Sequence, residues 1–282
     1  MQHNTYSLHK IKSSTSFGFS AGDYSRFKFG DDVVSAAFGT DLANGFIEEV
    51  LAHQPIHQQI VVISSPYAFI PTATFAMKNY FVFQLNKWLA GHGYPVVQET
   101  KVHRTITYKE DYGELNAEQR MSLIGNDSFH IDANFLEDKT LLFLDDIKIT
   151  GSHERMISKM IAQYGMDNDI HMLYFAELVN TDIHPNIENY LNYHDVKSIF
   201  DLDAIVNSGH FCINTRIVKY ILNYEHNSFR IFMQNQTEGF INHLYNMALG
   251  NSYHTMDSYA LNLNYIKELL FSNKQKIKQH GN

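Results

Sequence analysis

Short apolar runs alternate with longer amphipathic stretches along the first two hundred residues. Residues 59–64 hold Ile60, Val61, Val62 and Ile63 in succession, a β-branched run that predicts a strand buried on both faces. A loop with Pro66 and Pro71 follows, and residues 74–90 predict a helix. Its Phe75, Ala76, Tyr80, Phe83 and Leu85 crowd more than one face, so it is expected to be buried on more than one side. Gly91 and Gly93 end it. Residues 95–100 predict a second strand, 139–144 a third and 170–175 a fourth. Between the last two lies a helix over 153–164, with Met156, Ile157, Met160 and Ile161 at helical spacing and Gly165 closing it. Another helix is expected over 33–51. Strands separated by helices imply a parallel sheet with right-handed crossovers.

Two regions break this pattern. Residues 102–138 are polar and irregular, with one short helix expected over 117–124. Beyond residue 207 the strand signal stops, and 210–223, 228–249 and 257–271 all predict helices, followed by a polar tail over 272–282 expected to fray. The chain therefore divides into an N-terminal segment over 1–24, an α/β domain over 25–206 and a helical C-terminal region over 207–282.

Composition narrows the function. At roughly 150 residues per domain, 282 residues allow one or two domains, and 44% apolar content supplies a sizeable core. The net charge of −8 makes direct binding of nucleic-acid backbones unexpected. A single cysteine, Cys212, excludes an internal disulfide and fits a reducing cytoplasm. Residues 1–16 carry no apolar signal-peptide core, and apolar runs stop at five residues where a spanning helix needs about 20. Sixteen histidines are scattered; Pro55 separates His53 from His57, and neither H-E-x-x-H nor C-x-x-C occurs, so no protein-held metal site is expected. Gly18-Phe19-Ser20-Ala21-Gly22 matches the hydrolase elbow G-x-S-x-G but lacks the strand before it and the apolar helix after it. No G-x-G-x-x-G or Walker A sequence is present.

One segment carries chemistry: Leu141-Leu142-Phe143-Leu144-Asp145-Asp146-Ile147-Lys148-Ile149-Thr150-Gly151-Ser152-His153. A buried strand leads to two adjacent carboxylates at its carboxyl end, where open α/β sheets bind ligands. The Thr-Gly-Ser turn then opens a helix, whose first N–H groups and hydroxyls suit an anion. Acceptors for sugar hydroxyls thus adjoin donors for a phosphate. The plainer alternative is that the acids order a loop and Thr150 or Ser152 caps the helix.

This segment resembles the phosphoribosyl-pyrophosphate (PRPP) motif of the type I phosphoribosyltransferases. The resemblance implies the fold class: an α/β, type I phosphoribosyltransferase-like parallel sheet flanked by helices, here with an α-helical C-terminal extension. It implies that Asp145 and Asp146, the catalytic pair, hold the ribose 2′- and 3′-hydroxyls, and that Thr150, Gly151, Ser152 and His153 surround the 5′-phosphate. Ile149 and His153 depart from the pattern, which commonly has Thr at both places. Purine-salvage members often carry an acid at the position of Ile149, which cannot exchange a proton. The loop Ser64-Ser65-Pro66-Tyr67 lies where the family binds pyrophosphate, making Ser65 and Tyr67 candidates; an ordinary βα turn is the equal alternative. Arg104-Thr105-Ile106-Thr107-Tyr108-Lys109, with Leu115, Arg120, Asn126 and Phe129 after it, looks like the ComF-type branch, where a loop closes over the site. There Arg104 and Lys109 would neutralise the pyrophosphate. Tyr24, Phe27 and Phe29 could stack on an aromatic acceptor but are more readily core.

The family implies a cytoplasmic, Mg²⁺-dependent glycosyltransferase of nucleotide metabolism. Its partners are PRPP and a small nitrogenous acceptor, and the Mg²⁺ is carried mainly by PRPP. A homodimer is compatible with this. Two alternatives stay open: a non-catalytic PRPP or nucleotide sensor on the same fold, and a ComF-like accessory protein linked to DNA uptake.

Overall fold

A computed structural model describes residues 3–104 and 129–280, with side chains up to 271. Five parallel strands form one sheet: β1 (Asn4–Ile11), β2 (Gln59–Ser64), β3 (Gln98–Thr100), β6 (Lys139–Lys148) and β7 (Ile170–Leu178), in the order β1-β7-β6-β2-β3. A separate antiparallel pair joins β4 (His103–Arg104) to β5 (Phe129–His130). Strand β6 is central, with Val61 of β2 beside Leu141 and Tyr174 of β7 beside Asp145.

Side chains alternate across a strand, so the continuous apolar run of β6 feeds two cores. Leu142 and Leu144 face α2 (Asp32–Glu49) and α3 (Ala73–Gly91), in a cluster with Val62, Phe38, Phe46, Phe81 and Phe175. Leu141 and Phe143 face α5 (Ser152–Gln163), with Val61, Ile63, Ile157, Ile161 and Met172. A short helix, α4 (Ala133–Leu136), adds Leu136 to this second core. Helices α2 and α3 approach closely: a Cβ on Gly39 would lie 2.2 Å from the carbonyl oxygen of Met77.

The helical C-terminal region has a third core of its own. Helices α6 (Ile187–Asn192) and α7 (Leu202–Val206) lead into α8 (Thr215–Asn223), α9 (His226–Gln234), α10 (Glu238–Gly250) and α11 (Asp257–His280). Phe29 and Ile70, both from the α/β part, are fully buried in that core. The two parts are therefore stitched by apolar side chains rather than merely linked.

Several expectations need correction. The sheet begins inside the segment set apart as 1–24, because β1 pairs with β7 and buries Tyr6 and Ile11. The third strand runs on through the acidic pair to Lys148 instead of turning at Asp145. The helix expected from 210 starts at Thr215, where Asn214 caps it by accepting from the Ile217 N–H at 3.1 Å. The single helix expected over 228–249 is two, broken at Asn235–Thr237, where Thr237 caps α10. The tail expected to fray continues α11 to His280. Ser20 is no nucleophile elbow: its hydroxyl caps α1 (Ala21–Lys28), accepting from the Asp23 N–H at 3.1 Å. Tyr24, Phe27 and Phe29 are fully buried. The helix expected over 117–124, and Lys109, lie outside the described residues. Among the described residues no helix is long and apolar enough to cross a membrane.

Candidate active site

Asp145 and Asp146 still belong to β6, so successive side chains point to opposite sides of the strand. Both are buried, at 8% and 6% exposure. A buried carboxylate needs partners, and each has its own set. Asp145 accepts from Ser65 Oγ at 2.7 Å and meets His153 Nδ1 at 2.8 Å. Asp146 accepts from the Tyr24 hydroxyl at 2.6 Å and pairs with the Lys28 ammonium. Thr74 Oγ1, in the first turn of α3, lies 3.4 Å from Asp145 Oδ1 and 3.4 Å from Asp146 Oδ1.

Burial alone would raise Asp145, but the His153 charge and hydrogen bond, with that of Ser65, outweigh it and hold the carboxyl well below its ordinary range. Burial first, then the Asp146 charge, pushes the Tyr24 phenol far up, so it remains a donor. Tyr174, beside Asp145, is also raised by burial and by Glu154, to which its hydroxyl donates at 3.2 Å.

Past β6 the chain turns through Gly151, whose φ of 68° suits a residue without Cβ. Thr150 Oγ1 and Ser152 Oγ lie 2.7 Å apart, and Arg155 fastens the turn by donating to the Thr150 carbonyl at 2.8 Å and to Ser152 Oγ at 3.1 Å. Lys148 pairs with Glu154 at 2.7 Å and Glu177 at 3.3 Å. The turn is thus held by its own side chains and backbone. The alternative in which Thr150 or Ser152 caps α5 does not hold, since Gly151 is the N-cap and no side chain caps that end.

These groups open onto a cavity of about 600 Å³. Ser65, Tyr67, Arg104, Asp145, Asp146, Thr150, Gly151, Ser152 and His153 all line it. Sequence reasoning had placed each of them at one site, and the fold brings them together. Ser65, however, spends its hydroxyl on Asp145. Tyr67 packs edge-on against Phe75 and lies under the Lys101 ammonium, 3.8 Å from the ring centroid.

The sequence reading missed part of the wall. Lys28, Thr74 and Lys148 line the cavity, as do Arg216, Lys219 and Tyr220 of α8. Arg216, Lys219, Tyr220 and Asn223 stand at i, i+3, i+4 and i+7, one face of a helix. Lys28 sits between Phe27 and Phe29, and a cation between two core aromatics signals a buried charge seeking a partner. Among the described residues the wall carries five Lys or Arg side chains against four acids, although the whole chain is at −8. The wall is therefore close to charge balance, with a slight cationic excess, in a protein whose overall charge is −8. No group of three or more His, Cys, Asp or Glu residues placed for a metal ion occurs among the described residues.

No curated protein matches the chain. Among solved structures it is similar to a hypoxanthine phosphoribosyltransferase from Staphylococcus aureus, at 8% identity and TM-score 0.33 over 51% of this chain and 74% of that one. It is also similar to the hypoxanthine-guanine phosphoribosyl transferase of L. donovani, at 11% identity and TM-score 0.32 over 53% and 73%. A third is the hypoxanthine phosphoribosyl transferase of Trypanosoma cruzi, at 14% identity and TM-score 0.31 over 54% and 77%. The family model described as PRTase ComF-like matches residues 2–266, from β1 through most of the helical layer, and the chain belongs to that phosphoribosyltransferase-like family.

Proposed function

We propose that the protein is a phosphoribosyltransferase: it transfers ribose 5-phosphate from PRPP to a small nitrogenous acceptor and releases pyrophosphate. One observation carries this. The acidic pair of β6 and the Thr150-Gly151-Ser152 turn border the same cavity of about 600 Å³. A pentose phosphate spanning them would place its ring hydroxyls at the carboxylates and its 5′-phosphate at the start of α5.

In such a reaction the C1–O bond to pyrophosphate breaks, its electron pair leaves with the pyrophosphate, and the acceptor nitrogen forms the new bond to C1 and releases its proton to solvent. Positive charge develops on the sugar ring meanwhile. The protein's work is positioning and electrostatic stabilisation. Asp145 and Asp146 place negative charge beside the ring. Arg104, Arg216 and Lys219 contribute positive charge to the same cavity wall, where the leaving group accumulates charge. The donor set fits a Mg²⁺ carried by the diphosphate, since both carboxylates are already held by protein groups and a magnesium ion keeps phosphate oxygens and waters. When bound, that ion would neutralise the leaving group. We place the reaction in the cytoplasm, with no nucleic acid bound directly.

A sensor that binds PRPP or a nucleotide without turnover is favoured by a different observation. Ile149 lines the cavity and cannot exchange a proton. Pyrophosphate release, assayed with PRPP and Mg²⁺ across a panel of nitrogenous bases, separates the two. Sustained turnover with one base supports the enzyme; PRPP binding with no release across the panel supports the sensor.

A further inference from the structure

We propose that the helical C-terminal layer sets the shape of the pyrophosphate side of the site, with Asn251 and Thr215 as positioning residues. The inference deepens the phosphoribosyltransferase reading and rests on it. The loop between β2 and α3, residues 65–72, supplies Ser65, Tyr67, Ala68, Ile70 and Thr72 to the cavity. The backbone polar groups of Phe69, Ile70 and Pro71 find their partners in the C-terminal layer. Asn251 Oδ1 accepts from the Phe69 N–H at 3.0 Å and from the Ile70 N–H at 3.1 Å. Thr215 Oγ1 donates to the carbonyls of Ile70 at 2.8 Å and Pro71 at 3.1 Å, and the Thr215 N–H donates to Pro71 at 2.8 Å. The α/β part holds the flanking residues: Tyr67 bridges to His103, the Lys101 ammonium donates to the Ala68 carbonyl at 2.5 Å, and the Phe75 N–H donates to the Thr72 carbonyl at 3.1 Å.

Asn251 is built for this task. It is 6% exposed, at the end of α10. Its amide nitrogen donates to the buried Tyr253 hydroxyl at 3.0 Å, which fixes the oxygen toward the two loop N–H groups. Gly250 just before it has no Cβ, and one there would lie 2.1 Å from the Phe69 ring. Ile70 is fully buried in the C-terminal core. Oxygen, hydroxyl, glycine and apolar pocket therefore converge on three consecutive loop residues, Phe69 to Pro71.

The other end of the loop meets the chemistry. Ser65 holds Asp145, and Thr74 lies beside both carboxylates. Between them Thr72 borders the cavity, and its Oγ1 is buried with no hydrogen-bond partner among the described residues. The C-terminal layer thus holds the loop at Phe69 to Pro71, and Thr215 and Asn251 border the same cavity as the loop they hold. The 5′-phosphate turn at Thr150–Ser152 is fastened independently, by Arg155.

That separation gives the test. Full-length wild type, Asn251→Leu, Asn251→Asp and Thr215→Val are titrated by calorimetry with pyrophosphate plus Mg²⁺ and, separately, with ribose 5-phosphate. Asn251→Leu and Thr215→Val are expected to weaken pyrophosphate by about tenfold or more, with ribose 5-phosphate held within about threefold. Asn251→Asp keeps the accepting oxygen and is expected to stay within about threefold of wild type for both probes. Thr215→Val carries the test if Asn251→Leu fails to fold. Equal loss for the two probes, or unchanged pyrophosphate binding in Thr215→Val, overturns the inference. A wild type that binds neither probe overturns the phosphoribosyltransferase reading itself, and the inference with it.

Discussion

The imidazole Nδ1 of His153 lies 2.8 Å from the carboxylate Oδ2 of Asp145, joining the first turn of α5 to the carboxyl end of β6. The PRPP motif commonly has a threonine at this histidine's position. Here the residue at that position lines the cavity and contributes charge and a hydrogen bond to the neighbouring acid. A single side chain thereby links the acidic pair to the start of the helix that follows the Thr150–Ser152 turn.

This pairing sets an acid limit on stability. The folded-state pKa of Asp145 is depressed: burial raises it, but His153 and Ser65 lower it by more. Its contribution is fully present above the unfolded value of about 3.9 and is lost as the pH falls through the folded value. His153→Ala removes the larger of the lowering influences. The expected outcome is an acid-unfolding midpoint shifted to higher pH, read by circular dichroism between about pH 2 and 5. An unmoved midpoint would show that the pair contributes nothing.

Lys28 and Asp146 form a pair in which both side chains are nearly buried, at 12% and 8% exposure. Lys28→Met leaves Asp146 with the Tyr24 hydroxyl and the long Thr74 contact. Breaking a buried pair from one side costs about 3–5 kcal/mol, and the Tyr24 bond should hold the loss near the lower figure. Urea denaturation of Lys28→Met is expected to show it, and the double variant Lys28→Met with Asp146→Leu should recover part of it. A loss under about 0.5 kcal/mol in the single variant would contradict this pairing.

How far the sequence reveals these features depends on whether the determinant is local. The runs at β2, β6 and β7 are apolar on both faces, so their strands are legible without any partner. Strand β1 is not: Thr5, Ser7, His9 and Lys10 interrupt it, and only Tyr6 and Ile11 among its apolar side chains are buried. An edge strand has one neighbour and needs little apolar surface. Asp145 and Asp146 read as a turn because acids are poor strand formers. Lys28, far back in the chain, and His153 supply the charge partners that keep them in β6. The break between α9 and α10 has neither Gly nor Pro to announce it; Thr237 makes it by capping. In the site, the acid pair and its turn are consecutive residues and are visible as a motif. The cationic wall of Arg216 and Lys219 and the anchor Asn251 join the site only through folding, so no local pattern exposes them.

Calorimetry of PRPP with Mg²⁺ on wild type and on the double variant Asp145→Asn, Asp146→Asn tests the central claim most directly. The wild type is expected to bind, and the double variant to lose at least about a hundredfold in affinity while a thermal melt shows it folded. Equal affinity in the two proteins, or no binding by the wild type, would contradict the claim that this carboxylate pair holds a pentose phosphate.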